Sequence, residues 1–323
     1  MHVVVTGGAG FIGSHVCEQL VALGHRVTAV DSFDSLLYAA SAKRRNAADI
    51  VARCGSQLEV VEHDVVDLAA MTDVFKRGCD VVCHLAALAG VRPSLEAAPR
   101  YMRVNVEGTT VVLEAMRRCG LQRLVFASSS SVYGARSDAP GGFREDDPCP
   151  APASPYAASK LMAEIALRTY SRLYGIGSIA LRYFTVYGPR QRPDMGIAKF
   201  VAAIAAGKPI TLYGDGTSLR DYTYIDDIVR GTVAAIESSA AVRTEIVNLG
   251  GTRTTSLAEL IALIEATIGR AAIIQREPDQ PGDVPLTFAN IERAAALFGY
   301  APQTPPAEGI KRYWDWVAER PMP

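Results

Sequence analysis

Tyr156 and Lys160 stand four positions apart, a spacing that places two side chains on the same face of an α-helix. Ser154-Pro155 comes just before them and predicts that the helix begins here, with proline in its first turn. A phenol has a pKa of about 10 and is a poor base at neutral pH. Because a nearby ammonium stabilises the phenolate, the pair predicts acid–base chemistry by Tyr156 with help from Lys160.

A run of serines, Ser128 to Ser131, follows a short apolar stretch at Leu124–Ala127 that predicts a strand. Ligands of open α/β sheets bind at the carboxyl ends of the strands. One of these hydroxyls is therefore expected to lie between Tyr156 and a substrate hydroxyl. Serine runs also occur in ordinary turns, and the run alone does not select which hydroxyl takes this role.

A glycine-rich segment, Thr6-Gly7-Gly8-Ala9-Gly10-Phe11-Ile12-Gly13, follows the first apolar run. Gly7 permits a tight turn, Gly10 lets the backbone approach a pyrophosphate, and Gly13 lets the next helix pack on the sheet. Asp31, at the end of the second predicted strand, is expected to accept hydrogen bonds from a ribose 2′-hydroxyl and to repel a 2′-phosphate. These residues predict a dinucleotide site that prefers NAD to NADP.

The elements that must position these residues alternate between strand and helix. The predicted strands are His2–Thr6, His25–Val30, Leu58–Glu62, Val81–Leu85, Leu124–Ala127 and Gly177–Tyr183, and the predicted helices include Gly13–Leu23, Tyr101–Cys119 and Tyr156–Tyr174. This order predicts an α/β protein with a Rossmann-type, doubly wound parallel sheet.

After about Pro189 the alternation loosens, which predicts a smaller C-terminal α/β region for substrate binding. We expect residues 1–175 to form the NAD-binding domain and residues 176–323 to form mainly the substrate region. Parts of 176–250 are expected to return to the main sheet. The Pro- and Gly-rich stretch Gly141–Pro155 predicts a surface loop.

Composition excludes several classes of protein. The chain has 323 residues, is 49% hydrophobic and carries a formal charge of −1, with no Lys/Arg block for nucleic acid. No apolar run reaches the roughly 18 residues that span a bilayer, and no leader peptide is evident, so we expect a cytoplasmic protein. The six cysteines have no zinc-like spacing, and we expect no metal site.

The glycine spacing resembles that of extended short-chain dehydrogenases/reductases. Three downstream segments, Leu181–Pro189, Arg220–Asp227 and Gln280–Val284, are similar to those of nucleotide-sugar epimerases and dehydratases, so the resemblance covers nearly the whole chain. It implies that Asp64 and Val65 flank the adenine and that Asn105 supports the central helix. It also places further residues along the cofactor: Phe11, Ile12, Ser32, Leu85, Ala86, Ala87, Tyr183, Thr185 and Val186.

The same resemblance implies the substrate contacts. Aligned on Val132-Tyr133-Gly134, it selects Ser129 as the bridging hydroxyl, with Ser130 as the alternative and a helper in binding. Arg220 is implied to clamp a diphosphate, because the planar fork of its guanidinium matches phosphate geometry. The remaining expected substrate contacts are Thr211 and Tyr213 at the uracil, Asp283 at the nucleotide ribose, and Arg92 near the phosphates or the sugar.

The choice of reaction rests on the residues just after the catalytic hydroxyl. Related dehydratases carry an acid there, and this chain has only serines, which favours epimerisation over dehydration or decarboxylation. Arg190-Gln191-Arg192-Pro193-Asp194-Met195, which follows Phe184-Thr185, resembles UDP-glucuronate 4-epimerases most closely. It implies that Arg192 and Thr185 hold a sugar carboxylate. Arg192 could instead be a loop or subunit-contact residue.

We therefore expect an NAD-dependent 4-epimerase of a UDP-sugar, with UDP-glucuronate as substrate and a homodimer as its assembly. The alternatives are an epimerase of UDP-glucose or UDP-N-acetylglucosamine, a dehydratase or decarboxylase, and a non-catalytic NAD-binding sensor.

Overall fold

A computed structural model describes residues 1–238, 243–278 and 283–320 of the chain. Its centre is a seven-stranded sheet in the order β3-β2-β1-β4-β5-β6-β11, and all neighbouring strands are parallel. These strands are β1 (His2–Thr6), β2 (Arg26–Asp31), β3 (Leu58–Glu62), β4 (Val81–His84), β5 (Arg123–Ser129), β6 (Gly177–Tyr183) and β11 (Thr244–Leu249). The predicted α/β class and parallel sheet are confirmed.

Helices cover both faces of the sheet. They are α1 (Phe11–Ala22), α2 (Ala40–Cys54), α3 (Leu68–Lys76), α4 (Val91–Glu96), α5 (Ala98–Tyr101), α6 (Gly108–Arg118), α7 (Pro155–Tyr174), α8 (Gly196–Ala205), α9 (Ile225–Glu237), α10 (Leu257–Ile268), α11 (Glu292–Phe298) and α12 (Pro306–Ala318). Alternate strand residues face opposite layers, so Val3 and Val5 pack on the α1 and α9 side while Val4 packs on the α3 and α6 side. Burial on both faces explains the continuous apolar runs of these strands.

Smaller strands extend the structure beyond β6. They are β7 (Thr185–Tyr187), β8 (Pro209–Tyr213), β9 (Leu219–Arg220), β10 (Tyr222–Tyr224), β12 (Thr255–Ser256) and β13 (Ile273–Glu277), paired as β7 with β10, β8 with β13 and β9 with β12. β6 and β11 both come from beyond residue 175 and complete the main sheet.

The long helix expected over Tyr101–Cys119 is not uniform. A π-helical turn at Met102–Glu107 joins α5 to α6. Such turns are frequent at functional sites. Asn105 lies within it and is buried, with its amide bonded to both backbone groups of Leu88 and to the Ser159 hydroxyl of α7. The π turn therefore fastens the α7 helix to the segment after β4.

The parallel sheet brings several candidate residues to one edge. Gly7 follows β1, Asp31 ends β2, Leu85 follows β4, Ser129 ends β5 and Tyr183 ends β6. Because all seven strands run the same way, these positions share the carboxyl edge.

We predict that Gly13→Ala destabilises the fold. An added methyl group at Gly13 would lie 2.1 Å from the Gly7 carbonyl oxygen, so α1 would have to move off the turn. Overpacking of this kind costs about 1–3 kcal/mol. Gly196→Ala is the matched control, since a Cβ there meets nothing within 4 Å. Thermal unfolding should show a lower midpoint for Gly13→Ala only; equal midpoints for both variants would contradict the packing argument.

Candidate active site

A cavity of about 370 Å³ opens at the carboxyl edge of the sheet. It is lined by every residue expected along the cofactor except Asn105: Gly7, Gly10, Phe11, Ile12, Gly13, Asp31, Ser32, Asp64, Val65, Leu85, Ala86, Ala87, Tyr156, Lys160, Tyr183, Thr185 and Val186. Asn105 lies behind the wall and holds Leu88, which lines the cavity.

The glycine turn lines this cavity. Gly7 has φ +70°, its amide donates to the Val30 carbonyl at 2.7 Å, and a Cβ there would lie 2.8 Å from the Ala86 amide nitrogen. Only glycine permits that approach without strain. The α1 helix that follows has Gly10 at its N-cap and therefore no side-chain cap. Its first amides remain donors for an anionic group.

Asp31 lies beside the turn and is buried. Its two carboxylate oxygens accept from the Ala9 amide at 3.2 Å and the Phe33 amide at 2.8 Å. Burial raises its pKa, an effect opposed first by the positive charge of Lys43. A carboxylate has about four acceptor positions, so Asp31 keeps capacity for a further hydroxyl donor.

The sequence analysis missed further cavity residues, among them two in the segment after Asp31 and one, Arg100, on α5. Tyr38, Lys43 and Arg100 line the cavity, and both basic residues bond to Asp34: the Lys43 ammonium to its carbonyl and the Arg100 guanidinium to its carboxylate, each at 2.8 Å. Helix α2, which carries Lys43, has few buried residues and was not predicted. The sequence signal that could have revealed Lys43 is its position in the first turn of the helix that follows Asp31.

Tyr156, Lys160 and Ser129 line the same cavity. All three are buried. The Ser129 side chain lowers the pKa of the Tyr156 phenol, and its hydroxyl bonds that of Ser131 at 3.1 Å. The Lys160 ammonium donates to the Ala127 carbonyl at 2.7 Å and lies 4.9 Å from the ring centre of Phe126. Ser130 lines the same cavity.

Burial disfavours the charged forms of both Tyr156 and Lys160. It raises the pKa of Tyr156, while the Ser129 hydrogen bond and the positive charge of Arg192 lower it. Burial also lowers the pKa of Lys160 to about 7, with the Glu164 carboxylate opposing that shift. Stabilisation of the phenolate by Lys160 and the positive nicotinamide ring stays a prediction.

Arg192 and Thr185 both line the cavity, and the Arg192 side chain is only 13% exposed. Its Nε and Nη2 donate to the two carboxylate oxygens of Asp194, at 3.0 and 2.6 Å. A guanidinium has five N–H donors, so the edge formed by Nη1 and the second Nη2 proton remains for another acceptor. Arg192 can therefore bind an anion in the cavity without releasing Asp194.

The other expected substrate residues form a second group outside this cavity. The Arg92 guanidinium pairs with the Asp283 carboxylate at 2.8 Å and lies 4.3 Å from the ring centre of Tyr213. The Asp283 charge also acts on Arg220, which donates to the Leu219 carbonyl. Thr211, on the same strand as Tyr213, is exposed. Residues 280–282 of the expected Gln280–Val284 segment lie outside the described residues.

Residues 1–238, 243–278 and 283–320 contain neither a candidate metal-binding group nor a candidate membrane-spanning helix. No group of three or more His, Cys, Asp or Glu side chains there could hold a metal ion. No helix within those ranges is long and apolar enough to cross a bilayer.

Comparison with known proteins gives concordant matches. Residues 3–250 match the model of the NAD dependent epimerase/dehydratase family. A UDP-glucuronate 4-epimerase from Thermodesulfobacterium geofontis is 39% identical over 318 residues, which cover 98% of this chain and 96% of the relative.

Two solved structures also match along the length of the chain. A Bacillus cereus UDP-glucuronic acid 4-epimerase, in complex with UDP-glucuronic acid and NAD, has a TM-score of 0.92 and 36% identity, with 99% of each chain covered. A Thermotoga maritima UDP-glucose 4-epimerase with UDP-glucose has a TM-score of 0.89 and 30% identity, again with 99% of each chain covered.

Proposed function

The chain belongs to the NAD-dependent epimerase/dehydratase family, and we propose that it inverts C4 of UDP-glucuronate to give UDP-galacturonate. The observation that carries this choice of sugar is the position of Arg192. A guanidinium with a free edge lies in the same cavity as the catalytic phenol. A sugar carboxylate is the part of UDP-glucuronate that such an edge would recognise.

The described residues fit the dinucleotide. The Gly7 turn approaches Ala86 so closely that a Cβ would fill the space, and the uncapped amides of α1 suit a diphosphate. Asp31 has acceptor capacity for a ribose hydroxyl. NAD, when bound, supplies an acceptor that takes the C4 hydride and returns it. Asp64 and Val65 would flank the adenine, and Tyr183, Thr185 and Val186 would border the nicotinamide end.

The proton chemistry falls to three residues. Tyr156 takes the proton of the C4 hydroxyl and later returns it, with Ser129 bridging the phenol and the sugar hydroxyl. Lys160 lies one turn further along the helix and, when protonated, stabilises the phenolate. The oxidised sugar is a 4-ketone, which must turn over before C4 is reduced from its other face.

The carboxylate has to be held during that turn. A 4-keto glucuronate is a β-keto acid, and it loses CO2 when the C5–carboxylate bond aligns with the carbonyl π system. Arg192 and Thr185, which both line the cavity, would hold the carboxylate away from that alignment. The serine run also supplies no acid beside Ser129 that would assist elimination.

The nucleotide must stay anchored while the sugar rotates. Arg92, Tyr213, Arg220 and Asp283 lie together outside the catalytic cavity, which suits an anchor for the UDP portion. Arg220 and Arg92 would meet the diphosphate, Tyr213 and the neighbouring Thr211 the uracil, and Asp283 the ribose. Ser130 would contact the sugar from the wall that it lines.

A neutral-sugar 4-epimerase is the second candidate. The Asp194 carboxylate already balances the Arg192 charge, and the T. maritima UDP-glucose 4-epimerase matches the chain along its length. UDP-glucose or UDP-N-acetylglucosamine would then be the substrate. Incubating the protein with each of the three UDP-sugars and reading the C4 configuration by NMR separates the two functions.

The assembly we propose is a homodimer formed through α6 and α7. Helix α7 exposes three large apolar side chains: Met162 at 47%, Ile165 at 55% and Leu173 at 59%. Arg117 of α6 lies 5.3 Å from the ring centre of Tyr174, which continues the same surface. An exposed apolar helix face of this kind is typical of an association surface.

Two further assignments complete the proposal. Residues 1–175, joined by β6 and β11, would bind NAD, and the rest of 176–323 would bind the UDP-sugar. We place the protein in the cytoplasm, because all six cysteines are free thiols and reducing compartments keep thiols in that form.

Replacing the catalytic phenol gives the first prediction for this function. Tyr156→Phe should lower kcat for UDP-glucuronate by at least roughly a hundredfold, as expected for loss of a general base. NAD binding, measured by calorimetry, should remain. Tyr174→Phe is the matched control, because that exposed tyrosine at the end of the same helix should leave turnover unchanged. More than about a tenth of wild-type turnover in Tyr156→Phe would reject the assigned base.

The sugar choice gives another prediction. Arg192→Ala should lower kcat/KM for UDP-glucuronate by roughly 10- to 100-fold, because hydrogen bonds to charged groups contribute most to recognition. The same variant should change kcat/KM for UDP-glucose far less. Arg168→Ala, at an exposed position on α7, serves as the control. An equal loss for both sugars would remove the case for an acidic substrate.

The assembly is tested by charge on the exposed face of α7. Ile165→Glu should convert the dimer to a monomer in analytical ultracentrifugation, because a buried unpaired carboxylate opposes association. Leu297→Glu, also at an exposed leucine but on α11, should leave the mass unchanged. A wild-type monomer at micromolar concentration would contradict the proposed dimer.

A further inference from the structure

A buried carboxylate lies directly behind the catalytic set. Glu164 stands on α7 one turn after Lys160 and two turns after Tyr156, and its side chain is 1% exposed. Its two oxygens accept from Nε and Nη2 of Arg182, at 2.9 and 2.8 Å. One of them also accepts from the Ser128 hydroxyl at 2.6 Å.

These partners belong to the two strands under the catalytic helix. In the β5–β6 register, Ser128 stands opposite Arg182, and Ser129 follows opposite Tyr183. The Glu164 carboxylate therefore joins α7 to β5 and β6 one residue before the catalytic serine. A shift of α7 along the sheet would break three charge-assisted hydrogen bonds.

Further buried partners hold Arg182 in place. Its guanidinium lies 4.7 Å from the ring centre of Tyr133, whose hydroxyl donates to the Asn248 side chain at 2.7 Å. The backbone N–H of Asn248 donates to the Glu145 carboxylate at 2.9 Å. A fully satisfied buried network of this kind is rigid.

From this placement we propose that Glu164 is a positioning residue of the reaction: through Ser128 it holds Ser129 against the Tyr156 phenol, and its charge supports the Lys160 ammonium. The inference rests on the proposed epimerase function, in which Ser129, Tyr156 and Lys160 act together.

The charges around Lys160 support the second role proposed for Glu164, which is to favour the ammonium form of Lys160. Lys160 is faced by His84 from β4, by Tyr156 and Glu164 from its own helix, and by the Ala127 carbonyl and Phe126 ring from β5. Burial lowers the pKa of His84 to about 3, so His84 is neutral. Tyr156 is neutral as well while its pKa stays raised. Glu164 is then the anion that favours the charged form of Lys160.

A contribution to the stability of the fold does not by itself explain the buried Glu164–Arg182 pair. Buried ion pairs often contribute little net stability, because desolvation of both charges offsets their attraction. A purely structural pair would change the melting temperature when removed, and it would leave the titration of Lys160 and the ratio of kcat to KM in place. A structural role and a positioning role for Glu164 are therefore separated by the Lys160 titration and by kcat and KM.

Ser128→Ala tests the positioning part. It removes the 2.6 Å hydrogen bond and leaves the Glu164–Arg182 pair intact. We expect kcat for UDP-glucuronate to fall roughly fivefold, the effect of one lost hydrogen bond, with KM unchanged. Thr169→Ala, which removes an exposed hydroxyl from the same helix, should match the wild type. A wild-type kcat in Ser128→Ala would overturn this part.

Glu164→Gln and Glu164→Asp test the charge. NMR of lysine-labelled protein, with the Lys160 signal assigned from its absence in Lys160→Met, gives the Lys160 titration directly. Glu164→Gln should lower that pKa by at least about one pH unit, whereas Glu164→Asp, which keeps the charge, should leave it near the wild-type value. Glu164→Asp should still lower kcat, because the shorter side chain cannot reach both Arg182 and Ser128.

An unchanged Lys160 titration in Glu164→Gln would overturn the charge role. If Glu164→Gln fails to fold, Glu164→Asp still decides the positioning role, since a wild-type kcat there would contradict it. A wild-type protein that epimerises no UDP-sugar would reject the proposed function, while the Lys160 titration would still test the effect of the Glu164 charge.

Discussion

Burial disfavours both charges on which the proposed chemistry depends, the phenolate of Tyr156 and the ammonium of Lys160. The protein alone raises the pKa of the phenol and lowers that of the ammonium. Each charge is therefore supported by a fixed neighbour: Ser129 and Arg192 oppose the shift at Tyr156, and Glu164 opposes the shift at Lys160. Fixed neighbours of this kind stabilise a developing charge without reorganising at the moment of reaction.

The proposed chemistry depends also on the layout of the sheet edge. A parallel sheet brings the ends of β1, β2, β4, β5 and β6 to one side, so a dinucleotide site and a proton-transfer site can share one cavity. The group formed by Arg92, Tyr213, Arg220 and Asp283 lies outside that cavity. Separation of anchor and catalytic site is what a turning sugar requires, since the nucleotide can stay bound while the ring presents its other face.

How much could be predicted from sequence depends on distance along the chain. The glycine turn and the Tyr156–Lys160 pair are local patterns whose spacing already defines their geometry. The pairing of Glu164 with Arg182 and Ser128 joins residues 18 and 36 positions apart and depends on strand register, which spacing does not reveal. The Asp194 partner of Arg192 is close in sequence but was missed, because a carboxylate beside an expected anion-binding arginine contradicts simple charge matching. The resemblance to sugar epimerases supplied the expected nucleotide contacts, which are Arg92, Thr211, Tyr213, Arg220 and Asp283.

Isotope transfer at C4 tests the central claim most directly. UDP-glucuronate that carries deuterium at C4 would be incubated with the protein in ordinary water, and the UDP-galacturonate formed would be examined by NMR and mass spectrometry. Because the same hydride leaves and returns within the cavity, the account predicts that the deuterium stays on C4 of the product. Deuterium lost to solvent, with a proton in its place at C4, would contradict it.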